Sequence, residues 1–144
     1  MDQRDLLVLY AMKFAGTPYK YGGNNPLQGG IDCSGFVCEI LRFAGLVKNR
    51  EDLTAQQLYD KFLVNGKPGL SGKGALAFYG KARSEISHVA FMVSTCQILE
   101  AGGGDQSTDT LAEAADRSAL VRGRMVDYRL DLLTVIMPNY WRFE

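Results

Sequence analysis

Apolar residues recur at intervals of three and four through the first part of the chain. Leu6, Leu9 and Tyr10 stand at helical spacing, and Met12 and Phe14 widen the stripe, so the pattern predicts a first helix from Leu6 to Ala15, ending near Gly16. A second helix opens in Ile31-Asp32-Cys33-Ser34-Gly35-Phe36-Val37. Phe36, Val37, Ile40, Leu41 and Ala44 keep the interval, Asp32 stands where an N-cap would, and Gly45 offers a stop. A third, shorter helix is predicted from Thr54 to Phe62, with Thr54 as cap and Leu58 and Phe62 facing inward. Beyond it the period changes: Gly74 to Tyr79, His88 to Val93, Gln97 to Ala101 and Leu132 to Met137 are short β-rich or apolar runs between glycine and charged turns. Leu111 to Asp116 adds a helical turn between strands.

Helices first and strands afterwards predict an α+β fold, with N-terminal helices packed on an antiparallel sheet of about five strands. The stretch from Gly16 to Gly30, dense in glycine, proline and asparagine, reads as a long loop of the kind that carries function. Asn24, Asn25 and Gly102-Gly103-Gly104 bracket the motifs and are expected to shape a cleft rim, and the glycine run lacks the lysine of a phosphate loop. No repeat, low-complexity tract or linker divides the chain, so residues 1–144 are expected to form one domain.

With 144 residues, 47% of them hydrophobic, the chain can build a core without disulfides or a structural metal. Sixteen basic residues balance sixteen acidic ones, with no run of like charge, which argues against nucleic acid and anionic membrane surfaces as partners. No apolar stretch reaches the ~20 residues of a membrane span. The start, Met1-Asp2-Gln3-Arg4-Asp5, lacks the basic-then-apolar order of a secretory signal, so export is expected to use another route. Three cysteines, Cys33, Cys38 and Cys96, form no Cys-x-x-Cys pair and leave at least one free thiol.

Cys33 is the thiol placed for chemistry. The unpaired amides and dipole at a helix N-terminus favour a thiolate, the reactive form of cysteine. Ser34 and Gly35 are small enough to leave the sulfur open, while Phe36 and Val37 bury the helix behind it. The bland alternative is an ordinary packed cysteine. Cys38, five residues on and about 140° further round a helix, should point into the core, and Cys96 reads as structural or incidental. His88, the sole histidine, begins the run Val89-Ala90-Phe91-Met92-Val93, where a base can face the nucleophile, although a lone histidine at a strand edge is often a surface or satisfied core residue.

Taken together, Pro18-Tyr19, Gly22-Gly23, D-C-S-G-F-V at 32–37 and S-H-V-A at 87–90 resemble, in order and spacing, the NlpC family of cell-wall cysteine peptidases. The likeness runs from the first helix to the last strand. It implies a papain-like core in which Cys33 heads a helix packed on the sheet and His88 comes from a neighbouring strand as general base. The family's third polar residue, most often a histidine, falls here on Glu100, twelve residues after His88. The departure is tolerable chemically, because a carboxylate accepting the far ring N–H fixes the tautomer, stabilises the imidazolium and should raise the pKa of His88.

The resemblance also implies substrate contacts. Tyr19 matches a tyrosine beside the cysteine whose hydroxyl helps bind the oxyanion or a substrate carbonyl, with a packed loop aromatic as the alternative. Asp32 and Ser34 match positions lining the subsite before the cut bond, unless Asp32 only caps the helix. The implied substrate is the stem peptide of peptidoglycan, with the γ-D-glutamyl-diamino acid bond as first candidate, and no metal or organic cofactor is implied. Action in the periplasm or cell wall would follow delivery by a phage tail, lysis machinery or secretion apparatus. Three other readings stay open: an acyltransferase or amidase using the same Cys/His pair, a catalytically silent module binding wall peptides or a partner, and a structural domain in which Cys33 merely packs.

Overall fold

A computed structural model describes residues 2–25, 30–102, 111–116 and 119–140. Helix α1 (Gln3–Met12) starts on a reciprocal cap in which the Asp2 carboxylate accepts from Asp5 N and the Asp5 carboxylate from Asp2 N. Its buried residues are Leu7 and Ala11, one turn apart, whereas Leu6, Leu9 and Met12 are about half exposed. The helix predicted from the spacing of Leu6, Leu9 and Tyr10 is present, but the pair at an interval of four, Leu7 and Ala11, meets the core, while Leu6 and Leu9 face out.

Helix α2 (Cys33–Phe43) buries Phe36, Val37, Cys38, Ile40 and Leu41, the face expected from their spacing. Helix α3 (Ala55–Val64) is capped by Thr54 with Gln57 in a reciprocal box and buries Leu58, Tyr59 and Phe62. Each fully buried Leu or Phe among these contributes roughly 1.5–3 kcal/mol of transfer free energy. A short helix α4 (Leu111–Asp116) lies where a helical turn was expected.

The Gly16 to Gly30 stretch is more regular than a plain loop. Strands β1 (Asn24–Asn25) and β2 (Gly30–Ile31) pair antiparallel, and single bridges tie Pro18 to Leu120 and Tyr19 to Ile31. Residues 26–29 lie outside the described residues, as do Gly103 and Gly104 of the expected cleft rim. The main sheet has six strands among the described residues. They are β3 (Gly66–Pro68), β4 (Leu76–Ala82), β5 (Glu85–Met92), β6 (Gln97–Gly102), β7 (Leu120–Met125) and β8 (Leu132–Pro138). All pairings are antiparallel in the order β3-β8-β4-β5-β6-β7.

Alternation along the strands gives the sheet two apolar faces. Phe78, Val89, Phe91 and Ile136 join the helix residues in one core, while Ala75, Ala77, Ala90, Met92 and Ile98 form a second, smaller one. Between β4 and β5 the register slips: Tyr79 pairs with His88 but Gly80 pairs with Ile86, which leaves Ser87 as an extra residue. Gly80 permits the close approach, since a Cβ there would stand 2.2 Å from Glu85 O. Such bulges re-aim the next side chain, and the next side chain is His88. The histidine is thus the fourth residue of β5, inside the strand rather than at its start.

Candidate active site

Asp32 builds the cysteine's side of the site. Its extended backbone starts α2, and its carboxylate accepts from Gly35 N at 2.7 Å, from Gly22 N at 3.0 Å and from Ser34 Oγ at 3.3 Å. One side chain therefore caps the helix and pins the preceding loop to it. Burial raises the Asp32 pKa against these donors. Cys33, the first helical residue, is half-buried and close enough to the His88 imidazole to raise its pKa. Cys38 is fully buried, with its sulfur 3.5 Å from Leu53 O, and Cys96 is exposed in the turn between β5 and β6.

The histidine's side is built by the sheet. His88 and Glu100 are the buried polar residues of the core, 6% and 1% exposed, and His88 Nε2 meets Glu100 Oε2 at 2.5 Å. With Nε2 taken, Nδ1 is the nitrogen left for Cys33. Gly102 makes room for this carboxylate, because a Cβ there would come within 2.8 Å of Glu100 Oε1. Tyr79 stands across from His88 with ring centres 5.3 Å apart, and its hydroxyl donates to Val126 O at 2.6 Å.

Glu100 has further partners that sequence reasoning missed. Tyr128 Oη donates to Glu100 Oε2 at 2.7 Å, and the Arg124 guanidinium lies 4.9 Å over the Tyr128 ring with Nε 3.8 Å from Glu100 Oε1. Neither residue carried a signal in the sequence. Tyr128 sits in a short polar connection without period, and only the pairing of β6 with β7 brings that connection to Glu100.

These contacts set the charge state. Burial opposes a charge on His88, but hydrogen bonds to Cys33 and Glu100, and their charges, outweigh it and push its pKa up to about 9. Burial likewise opposes the charged form of Glu100, yet the hydrogen bond and charge of His88, the Tyr128 hydroxyl and the Arg124 charge hold its carboxyl below the usual range. Tyr128 is raised above an ordinary tyrosine, first by burial and then by Glu100, so it remains a hydroxyl donor. The arrangement favours an imidazolium at neutral pH between a cysteine and a carboxylate.

Tyr19 is 7% exposed, and its bridge to Ile31 holds its backbone two residues before Cys33. Ser34 is engaged by Asp32. The described residues contain no cluster of three His, Cys, Asp or Glu side chains able to hold a metal ion, and no helix among them is long and apolar enough to cross a membrane.

A cysteine at the head of a helix packed on an antiparallel sheet, facing a histidine backed by a carboxylate, defines the papain-like α+β class. Residues 16–125 match the profile of the NlpC/P60 family, and the chain belongs to that family. It is 31% identical over 113 residues to the bifunctional muramidase/DL-endopeptidase CwlT of Bacillus subtilis (strain 168), covering 76% of this chain and 32% of the relative. The chain thus spans about a third of the length of that curated relative. Among solved structures it is similar to the peptidoglycan hydrolase RipB of Mycobacterium tuberculosis, at 20% identity and TM-score 0.66, covering 99% of this chain and 70% of that one. RipD of the same organism, described as a non-catalytic NlpC/p60 domain protein adapted to peptidoglycan binding, superposes with TM-score 0.67 at 18% identity over 96% of this chain and 98% of its own.

Proposed function

We propose that this protein is a cysteine endopeptidase acting on peptidoglycan stem peptides, with Cys33 as nucleophile, His88 as general acid and base, and Glu100 as the group that orients His88. The supporting observation is the buried His88–Glu100 pair, with Cys33 at the head of α2 close enough to act on the imidazole. A relative described as a DL-endopeptidase supports the substrate class, and the γ-D-glutamyl-diamino acid bond is the first candidate.

In this mechanism the Cys33 thiolate attacks the substrate carbonyl carbon, and the carbonyl oxygen takes the negative charge beside the free amides that open α2. The His88 imidazolium then gives its Nδ1 proton to the leaving amine as the C–N bond breaks. Neutral His88 removes a proton from water, the hydroxide attacks the thioester, and the Cys33 thiolate leaves. Glu100 stays ionised throughout and holds the ring's other N–H. Tyr19 is assigned to the oxyanion or a substrate carbonyl, and Asp32 and Ser34 to the rim of the subsite before the cut bond. The three donors on Asp32 make capping its first task and leave Ser34 as the freer of the two.

The test is incubation of reduced protein with muropeptides beside a Cys33→Ala control, reading new amine ends by mass spectrometry. Cleavage by the wild type alone is expected and identifies the bond. Intact muropeptides, with binding retained by both proteins, would sink the peptidase reading and favour the binding role described for RipD. A product carrying a new amide or ester in place of a free acid would favour acyl transfer.

A further inference from the structure

We infer that Tyr128 is a positioning residue of the catalytic line: by donating its hydroxyl to Glu100 Oε2 it fixes the carboxylate in the orientation that receives His88. A glutamate has one more rotatable bond than an aspartate, so a buried glutamate aims its oxygens at a fixed point only if something besides the target holds it. Its other oxygen does not serve: Glu100 Oε1 makes no hydrogen bond, and neither does Arg124 Nε, 3.8 Å away. Oε2 therefore carries both hydrogen bonds, from His88 at 2.5 Å and Tyr128 at 2.7 Å, and the two donors together fix where that oxygen sits.

Tyr128 is itself anchored from two sides. Arg124 covers its ring at 4.9 Å, and Tyr79, which also touches His88, packs at 6.1 Å between ring centres. The charged and titratable groups around the pair are Cys33 from α2, Tyr79 from β4, Arg122 and Arg124 from β7, and Tyr128, Arg129 and Asp131 from the connection to β8. Arg129 and Asp131 bind each other through two hydrogen bonds, Arg129 also acts on Tyr128, and the hydrogen bond to Glu100 comes from the Tyr128 hydroxyl.

The positioning is independent of which bond is cut, and only its kinetic consequence rests on the peptidase reading. His88 is the sole histidine, so its ring signals are unambiguous in an NMR titration that needs no substrate. Tyr128→Phe keeps the ring and removes the hydroxyl at a residue already 38% exposed. The His88 pKa is expected to fall by about one pH unit as the carboxylate loses its aim. In a Glu100→Gln background the same substitution should move it no further. An unchanged or higher pKa in Tyr128→Phe, or an equal fall in both backgrounds, overturns the assignment. If Tyr128→Phe loses the dispersed spectrum of a folded chain, Arg124→Lys provides the second reading: it keeps the positive charge near Glu100, removes the planar guanidinium from the Tyr128 ring and must lower the pKa in the same direction, or the inference fails. Where muropeptide cleavage is measurable, kcat should fall with KM little changed.

Discussion

The two sides of the proposed active site are held by different kinds of contact. On the cysteine side the hydrogen bonds to the Asp32 carboxylate all close within about ten residues: it accepts from Ser34 and Gly35 just after it and from Gly22 in the preceding loop. On the histidine side nothing is local. Glu100 is twelve residues from His88 and Tyr128 a further twenty-eight, and four antiparallel strands must be in register before these groups meet. A local cap forms with its helix, whereas a line spread over β4 to β7 depends on the sheet's register and one bulge. Damage on the first side should therefore stay near the cysteine, while damage on the second should reach the chemistry through the protonation of His88.

The largest effect comes from removing the proposed nucleophile. Cys33→Ala should lower turnover by about 10⁴-fold or more while leaving the fold intact, because the half-buried sulfur is not part of the fully buried core. A Cys33→Ala protein with near-normal turnover would exclude the nucleophile assignment outright. Next comes Glu100→Gln, which keeps the shape and removes the charge that sustains the imidazolium. Turnover should fall on the order of 10²-fold, and the pKa of His88 should drop from about 9 toward 6.5. Stability offers an independent check. A folded-state pKa raised above the unfolded one gives stabilisation that is complete below pH 6.5, declines as pH rises and is gone above about 9. Chemical denaturation of the wild type across that window should show the decline, and Glu100→Gln should flatten it.

The same division explains what could be read along the chain. Asp32, Cys33 and the face of α2 were legible because cap, nucleophile and apolar spacing all lie within one short segment. His88 stood out as the sole histidine at the head of an apolar run, while Glu100 was found only through resemblance, since no period links residues on separate strands. Tyr128 and Arg124 were invisible, being polar residues whose neighbours are set by the β6–β7 pairing. Strand β7 was missed for a related reason: its sequence, Leu-Val-Arg-Gly-Arg-Met, interrupts the apolar alternation with two arginines and a glycine. In α1 the pattern misled, because Leu6, Leu9 and Met12 are apolar yet lie outward of Leu7 and Ala11.

The smallest expected effect is the one that isolates the local side. Asp32→Ala removes the acceptor for Gly35 N and Gly22 N together, and a lost N-cap costs about 1 kcal/mol. Asp32→Asn retains an oxygen for Gly35 N, and asparagine caps helices about as well as aspartate, but its amide nitrogen takes the place of the oxygen that accepts from Gly22 N, so it should keep the cap and lose the loop contact. Burial raises the carboxyl's pKa, which means the charge at Asp32 is itself costly there and its removal is no great loss. Denaturant midpoints for the two variants separate the cap from the other work of the carboxylate. If Asp32→Asn is as destabilised as Asp32→Ala, the second oxygen's hold on Gly22 and the charge, not the cap, secure the cysteine's side. If Asp32→Asn is stable but cleaves slowly while His88 titrates as in the wild type, Asp32 acts on substrate, and the subsite role survives alongside the cap.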